Sequence, residues 1–288
     1  MNFVNPDIVP VTCREEEVSF RSGEFVLAGR LFLPALPPKV IVVINSATGV
    51  PAPFYGAFAR WLAESKGYAC LTYDYRGFGA SGNGQKGRMR FSDWAVYDAE
   101  AARAFAKSRF PDAKLWVIGH SVGALGLPFQ DGLDDMDRVI AVASGFVHTS
   151  DHPWSYRPLA SLFWYGHVPL IVAALGRLPA WAGLGADVPG PVYWQWRRWC
   201  TKRSGFAQEF GTSLPYPDWT GLKAPIKFVA VDDDPMVPPP VVWRLMQCHP
   251  RARKTQLLMK PADYGLNKIG HIHAFAARNK ACWDDLIA

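Results

Sequence analysis

The chain has 288 residues, of which 49% are hydrophobic and 19% are charged. That balance supplies enough apolar surface for one large buried core, and it excludes intrinsic disorder as the main state. The formal charge of +6 comes from basic residues that are scattered along the chain, so it does not indicate a nucleic-acid-binding surface.

Short runs rich in valine and isoleucine alternate with longer amphipathic stretches, a pattern typical of a largely parallel sheet covered by helices. Eight strands are predicted, at 18–22, 25–33, 40–45, 70–75, 115–119, 139–143, 226–231 and 255–259, the first two as a hairpin. Helices are predicted at 54–66, 240–248 and 273–286, and a further helix has Ser92 as its N-cap with Trp94, Tyr97, Ala101 and Phe105 on one face. The sequence therefore predicts an α/β fold with one eight-stranded sheet.

The alternation of strands and helices is interrupted at 147–222, where seven of the twelve tryptophans lie among many prolines and glycines. Inserted after the sixth predicted strand, this segment would cover the edge of the sheet at which open α/β folds bind ligands. We therefore predict a core formed by 1–146 and 223–288 and a helical, Trp-rich lid at 147–222. Trp154, Trp164 and Trp199 are candidates for substrate contact, although aromatic side chains are also ordinary core material for an inserted bundle.

Cysteine usage and the N-terminus indicate the compartment. The five cysteines form no zinc-like spacing, and the N-terminus has neither the basic nor the apolar region of a secretory signal, so we expect a reduced chain in the cytoplasm. The most apolar stretch, 159–178, contains His167, Pro169 and Arg177. It is a poor candidate for a membrane span and a better one for a lid or a buried helix pair, so we expect no stable membrane insertion.

A Gly-His-Ser-Val-Gly sequence at 119–123 directly follows a predicted strand and opens a stretch of small residues that can begin a helix. This is the context of a nucleophile elbow, in which a sharp strand-to-helix turn holds a serine hydroxyl above the sheet. The glycines allow the backbones to approach closely at that turn. Ser121 is therefore the candidate nucleophile, if an acid and a base are placed beside it.

Candidate partners for Ser121 occur later in the chain. Asp232, Asp233 and Asp234 come directly after the strand at 226–231, and a Gly-His-Ile-His sequence at 270–273 comes after the last strand. The resulting order of Ser, Asp and His is the one expected for α/β-hydrolases, and it differs from the orders in two unrelated groups of serine proteases. From position alone, any of the three aspartates is a candidate acid, and His271 and His273 are candidate bases.

With these motifs the sequence resembles the α/β-hydrolase superfamily over nearly its whole length, and within it the branch of monoacylglycerol lipases and serine-aminopeptidase-like hydrolases. Asp-Tyr-Arg-Gly-Phe-Gly-Ala-Ser at 74–81, Asp-x-x-Val-Pro at 234–238 and Gly-His at 270–271 are similar to motifs of that branch. The segments 45–51 and 196–200 resemble a subgroup of bacterial predicted hydrolases of unassigned substrate. The resemblance implies an α/β-hydrolase fold in which Ser121 is the nucleophile, His271 the general base and Asp234 the acid that orients it.

The resemblance also implies an oxyanion hole made of two backbone N–H groups. One would belong to Val122, the residue after the nucleophile, and the other to the loop after the third strand, where the family often has His-Gly and this chain has Asn-Ser. By position Ala47 is the candidate and Thr48 the runner-up. Thr48 and His120 are further candidates for contact with the substrate.

The expected activity is hydrolysis of small carboxylic esters of short to medium acyl chain through an acyl-enzyme, with no metal and no organic cofactor. The glycines at 77–82 form a GxGxxG pattern, but the polar stretch after them is not expected to begin a helix, so no dinucleotide site is predicted. One alternative keeps the triad and cleaves a thioester or a small peptide, which the basic residues of the lid would favour. Another alternative is a non-catalytic ligand-binding protein on the same scaffold.

Overall fold

The computed structural model describes residues 13–82, 87–182 and 185–288. Its strands are β1 (Arg14–Ser22), β2 (Phe25–Leu33), β3 (Val40–Asn45), β4 (Ala69–Tyr73), β5 (Lys114–His120), β6 (Arg138–Val142), β7 (Arg177–Leu178), β8 (Val188–Pro189), β9 (Ile226–Val231) and β10 (Lys254–Met259). Eight of them form one sheet in the order β1-β2-β4-β3-β5-β6-β9-β10, and β7 pairs with β8 separately. The two pairings that involve β2 are antiparallel and the others in the large sheet are parallel. The prediction of one mostly parallel, eight-stranded sheet is confirmed.

Helices lie on both faces of this sheet. They are α1 (Gly56–Lys66), α2 (Phe91–Asp93), α3 (Ala99–Arg109), α4 (Val122–Leu125), α5 (Arg157–Tyr165), α6 (His167–Leu175), α7 (Gly190–Thr201), α8 (Pro239–Gln247) and α9 (Trp283–Ile287). Alternate residues of β3 show why two layers are needed. Ile41 and Val43 pack into one hydrophobic core, whereas Val40, Val42 and Ile44 pack into the core on the opposite face. A strand with apolar side chains on both faces must be covered twice, as in parallel sheets generally.

The predicted helix around Ser92 begins differently. Arg90 is the N-cap residue, and its backbone N–H donates to the Asp93 carboxylate (2.8 Å). Ser92 is buried in the first turn instead of capping it. Between α2 and α3 the chain forms one turn of π-helix, Trp94–Asp98, which adds a residue to the turn. This shift leaves Trp94 buried but turns Tyr97 outward, with 41% of its surface exposed, so the predicted single apolar face is wrong at Tyr97.

The C-terminal helix predicted at 273–286 is also corrected. The structure has two 3-10 segments, His273–Phe275 and Ala277–Cys282, before the short helix α9. Ala276 is extended (φ −70°, ψ 140°), which ends the first segment. Buried side chains along the whole stretch, including Phe275 and Trp283, produce the apolar spacing that suggested one helix.

The segment 147–222 contains α5, α6, the β7–β8 pair and α7. Arg157–Leu175 is one helical stretch of nineteen residues that is long and apolar enough, by length and composition, to cross a membrane, and 22% of it is buried. The backbone breaks at Gly166 (φ −87°, ψ −127°), so the stretch consists of two helices of nine residues each. Nine residues of helix span about 14 Å, roughly half the thickness of a bilayer's hydrocarbon core.

All five cysteines carry free thiols: Cys13, Cys70, Cys200, Cys248 and Cys282. Burial raises the pKa of each of these thiols, and that of Cys200 to about 12, so they are poor nucleophiles at neutral pH. The cytoplasmic location stays a prediction.

Candidate active site

The candidate catalytic side chains follow two parallel strands of the large sheet, or lie in a loop that reaches the same edge. Ser121 comes directly after β5, and Asp234 is three residues beyond the end of β9. Because the carboxyl ends of parallel strands share one edge of a sheet, these residues face a common crevice. The loop after β10 brings His271 to the same edge, where its ring contacts both residues.

The turn at Ser121 has the geometry of a nucleophile elbow. Ser121 has φ +56° and ψ −115°, a conformation that costs a residue other than glycine about 1–3 kcal/mol. A Cβ at Gly119 would lie 2.6 Å from the Cβ of Ala124, and one at Gly123 would lie 2.2 Å from the backbone oxygen of Asn45. Only glycine fits at either position, because α4 packs directly onto the strands β5 and β3.

The three predicted catalytic side chains meet in one hydrogen-bonded line. His271 Nε2 lies 3.0 Å from Ser121 Oγ, and His271 Nδ1 lies 2.7 Å from Asp234 Oδ2. Asp234 is 2% exposed, and its other oxygen accepts hydrogen bonds from the backbone N–H groups of Met236 (2.8 Å) and Val237 (3.0 Å). The aspartate is thereby fixed, and Nδ1 of the histidine carries the proton that points to it. Nε2 is left to accept the proton of the serine hydroxyl.

The neighbouring candidates have other contacts. The Asp233 carboxylate accepts hydrogen bonds from the backbone N–H groups of Ile269 (3.1 Å) and Gly270 (2.8 Å), so it holds the loop that carries His271. Asp232 is exposed at the edge of the sheet. His273 begins a 3-10 segment and its ring lies beside Phe54, with centroids 6.4 Å apart.

The structure corrects the prediction of Ala47 as an oxyanion donor. Its backbone N–H donates to the hydroxyl of Tyr55 (2.9 Å), which directs it into the buried core. Thr48, the runner-up, lines the cavity above Ser121, and in the described part of the chain its N–H has no hydrogen-bond partner. Val122 is the first residue of α4, a position where a helix leaves the N–H free.

His120 is corrected as well, because it does not face the substrate side. The ring is fully buried, its Nε2 donates to the backbone oxygen of His271 (2.8 Å), and its Nδ1 accepts from the hydroxyl of Tyr55 (2.8 Å). Burial, and then the nearby His271, lower the pKa of His120 to about 3, so the ring is neutral. A continuous chain of hydrogen bonds therefore joins the Ala47 loop, through Tyr55 and His120, to the backbone of His271.

A cavity of about 310 Å³ opens above Ser121. Its wall is mainly apolar and is built from both the core and the segment 147–222, with the rings Phe91, Phe146, Phe163, Trp164, Trp196 and Trp199 among its lining residues. Thr48, Trp164 and Trp199, the candidates for substrate contact, line this cavity, and their contact with a substrate stays a prediction. Trp154 does not line it: 81% of its surface is exposed, and the Arg157 guanidinium lies over its ring, 4.2 Å from the ring centroid.

Sequence reasoning missed two polar residues of this region, Tyr55 and His152. Tyr55 comes eight residues after Ala47 in the sequence, and no catalytic motif has this spacing. His152 comes four residues after another histidine, His148, and this spacing by itself marks no catalytic motif. The described residues contain no group of three or more His, Cys, Asp or Glu side chains that could hold a metal ion.

Comparison with known proteins shows what this chain is similar to. Residues 37–166, somewhat less than half of the chain, match the model of the family described as serine aminopeptidase, S33. A thermophilic esterase from Thermogutta terrifontis has a similar structure over 94% of this chain and 97% of its own, with a TM-score of 0.57 at 14% identity. The chain has the α/β-hydrolase fold.

Other solved structures match this chain equally well. One is a serine hydrolase without a lid from Xanthomonas campestris, with a TM-score of 0.55, 14% identity and coverage of 95% of this chain and 94% of that one. Another is Est1E from Butyrivibrio proteoclasticus with bound ferulic acid, with a TM-score of 0.58, 13% identity and coverage of 93% and 96%. At such identities the likeness is one of fold. No curated protein matches the sequence.

Proposed function

We propose that this α/β-hydrolase cleaves carboxylic esters of short to medium acyl chain through an acyl-enzyme intermediate. The observation that carries the proposal is the line from Ser121 Oγ through His271 to Asp234, with distances of 3.0 and 2.7 Å, at the floor of an apolar cavity. A buried carboxylate, an imidazole of fixed tautomer and a serine hydroxyl at hydrogen-bond distance are the parts that nucleophilic acyl transfer requires.

In the first half of the reaction, Ser121 Oγ attacks the ester carbonyl carbon while His271 Nε2 takes the hydroxyl proton. The tetrahedral intermediate then collapses, the bond to the alcohol oxygen breaks, and His271 returns the proton to that oxygen. A water molecule then attacks the carbonyl carbon of the acyl-serine in the same way, with His271 as the base, and the carboxylic acid is released. Asp234 stabilises the imidazolium form of His271 in both halves, since it is held by two backbone N–H groups and contacts Nδ1.

The negative oxygen of the intermediate would be bound by the N–H groups of Val122 and Thr48. Both residues line the cavity beside Ser121, and neither N–H has a hydrogen-bond partner among the described residues. Loss of one such donor typically lowers the rate by about 10²–10³. The chain of hydrogen bonds through Tyr55 and His120 supports this arrangement, because it fixes the loop that precedes Thr48.

The segment 147–222 serves as a lid in this proposal and sets the acyl preference. Trp164, Trp196 and Trp199 contribute to the cavity wall, and an acyl chain that enters buries its methylenes against them. At about 0.8 kcal/mol per methylene, extending acetyl to hexanoyl gains about 3 kcal/mol, or roughly 10²-fold in kcat/KM. A small cavity cannot extend this gain to long acyl chains.

A thioester of an anionic carrier is less well supported as a substrate, because most of the basic residues of 147–222 are engaged. Arg157 donates to the backbone oxygens of Ser150 and His152. Arg177 pairs with Asp187 (2.8 Å), Arg198 pairs with Glu209 (3.3 Å), and Arg197 donates to the Trp164 backbone oxygen (2.6 Å). The arginines that suggested a carrier-binding surface thus stabilise the segment itself.

The test is a series of p-nitrophenyl esters from acetate to decanoate, with a thioester of matched chain length. We expect kcat/KM to rise to a maximum at a medium chain length in the wild type, and to fall by about 10⁴ or more in Ser121→Ala. Ser108→Ala, which removes an exposed hydroxyl at the end of α3, is the matched control. Equal turnover by Ser121→Ala and the control would contradict the proposal, and ligand binding without turnover would favour the non-catalytic alternative.

A further inference from the structure

His152 lies in the wall of the cavity, which His167 and His271 also line, and it has no part in the proposed triad. It follows the 3-10 turn Thr149–Asp151 and is 4% exposed, and it lines the cavity together with Ser121 and His271. Its ring packs edge to face against that of Tyr156, with centroids 5.2 Å apart. A buried imidazole in a mainly apolar wall needs an explanation, since unpaired polar groups are costly to bury.

One nitrogen of His152 is accounted for. Nδ1 lies 3.0 Å from the backbone oxygen of Pro235, and because a carbonyl oxygen only accepts, Nδ1 must carry the proton. Burial, the largest cause, lowers the pKa of His152, against the hydrogen bond to Pro235 and the charges of Asp151 and Asp234, which raise it; Arg157 adds a smaller lowering effect. The ring is therefore neutral at pH 7, and Nε2 carries a lone pair.

The other nitrogen is free to meet a ligand. Nε2 has no hydrogen-bond partner in the described ranges. It is also not fully buried, unlike the unpaired ring nitrogens of His249. It therefore keeps some contact with solvent, and in a ring that is 4% exposed and lines the cavity, that contact is with the cavity. Among the described lining residues there is no Asp or Glu side chain, so a neutral donor suits this wall better than a cation.

We propose that Nε2 of His152 accepts a hydrogen bond from the substrate, and that the preferred esters carry a hydroxyl group a few atoms from the ester carbonyl. This inference rests on the proposed function of the same site. A site built to bind a hydroxyl discriminates against the analogue that lacks it, because its own polar atom is then left buried and unpaired. His152 is thus a specificity-determining residue, and Pro235, next to Asp234, holds its ring in place.

Two substitutions separate this role from a purely structural one. In His152→Asn, the side-chain nitrogen can replace Nδ1 and keep the bond to Pro235, but nothing replaces Nε2. In His152→Gln, the longer side chain can place an oxygen acceptor near the position of Nε2, but the bond to Pro235 is lost. His148→Gln, at the half-buried N-cap of the same turn, is the control.

The substrates are butyl butanoate, its analogue with a terminal hydroxyl on the alcohol chain, and its analogue with a β-hydroxyl on the acyl chain. The two hydroxylated arms show which side of the ester meets His152. In the wild type and in His148→Gln we expect kcat/KM for one hydroxylated ester to exceed that for the plain ester by about tenfold, the effect of one ordinary hydrogen bond. That ratio should fall close to one in His152→Asn and be largely retained in His152→Gln, with melting temperatures checking that both variants fold.

A wild type that hydrolyses butyl butanoate but shows no preference for either hydroxylated ester overturns this inference alone. A preference that is retained in His152→Asn and lost in His152→Gln also overturns this inference alone, because it would show that the hydrogen bond to Pro235, and not Nε2, is what matters. A wild type that hydrolyses none of the three esters and does not react with a fluorophosphonate overturns the proposed function, and this inference with it.

Discussion

The hydroxyl of Tyr55 offers a sharp test of how the candidate site is supported. It accepts the N–H of Ala47 (2.9 Å) and donates to Nδ1 of His120 (2.8 Å), and the ring is fully buried. Burial raises the pKa of the hydroxyl well above its usual range, so it keeps its proton and donates at every pH at which the protein folds. Tyr55→Phe removes this one atom and leaves the shape of the side chain almost unchanged.

The expected cost follows from the two partners that lose their bonds. The Ala47 N–H and the His120 ring nitrogen both stay buried, and each unsatisfied group costs about 1–3 kcal/mol. The free energy of unfolding should therefore fall by about 2–6 kcal/mol. At about 2–4 °C per kcal/mol, the value for chains of 150–250 residues, the melting temperature should fall by roughly 4–24 °C.

Thermal and urea unfolding followed by circular dichroism measure this change. Tyr97→Phe, at a ring that is 41% exposed, is the matched control and should melt within about 2 °C of the wild type. If Tyr55→Phe melts together with the control, then the buried chain of hydrogen bonds from Ala47 to His271 does not contribute as the structure indicates.

Three further predictions concern the acid, the pH dependence and the acyl pocket. With p-nitrophenyl butanoate as substrate, Asp234→Asn should lower kcat by about 10³–10⁴, whereas Asp232→Asn, at an exposed side chain, should change it little. Equal losses in the two variants would contradict the assignment of Asp234 as the acid that orients His271. Burial lowers the pKa of His249 to about 4 in the folded state, so its contribution to the free energy of unfolding is fully present above pH 6.5 and is lost at about 1.4 kcal/mol per pH unit as the pH falls toward 4. In urea unfolding, the free energy of unfolding of His249→Phe should therefore fall less steeply with decreasing pH than that of the wild type. An unchanged pH dependence would refute this prediction. Trp164→Ala should reduce the preference for hexanoate over acetate esters by about tenfold, whereas Trp154→Ala should leave it unchanged, and a reversed order would count against the cavity as the acyl site.

Most of the sheet could be predicted because its strands are short apolar runs bounded by turn residues. β2, β3 and β9 have the predicted ends, and the other strands of the large sheet begin and end within two residues of prediction, except that β1 begins at Arg14, four residues early. The four residues added to β1 are all charged, so hydrophobicity could not reveal them. They pair with β2 through the backbone, which any side chain allows.

The helix boundaries were harder to predict where tertiary contacts overrule local preference. Ser92 is a good N-cap by its chemistry, but its backbone N–H donates to Gln195, more than a hundred residues away, and the helix begins at Arg90. The extra residue in the π-turn then changes which side chains share a face. No local sequence pattern indicates the helix start at Arg90 or the π-turn.

The candidate catalytic residues were easier to locate than the residues around them. Ser121 and His271 belong to motifs with a fixed relation to a strand end, and the choice of Asp234 among three aspartates depended on a resemblance. Ala47 was misassigned because its N–H direction depends on Tyr55, and Trp154 because composition does not say which face of a segment is exposed.

The most direct test of the central claim is the intact mass of the protein after treatment with a fluorophosphonate. Such a reagent reacts rapidly only with a serine that is activated by a base and lies beside an oxyanion site. We predict a single adduct on the wild type and none on Ser121→Ala. No adduct on the wild type, or an adduct of equal yield on Ser121→Ala, would contradict the assignment of Ser121 as the nucleophile.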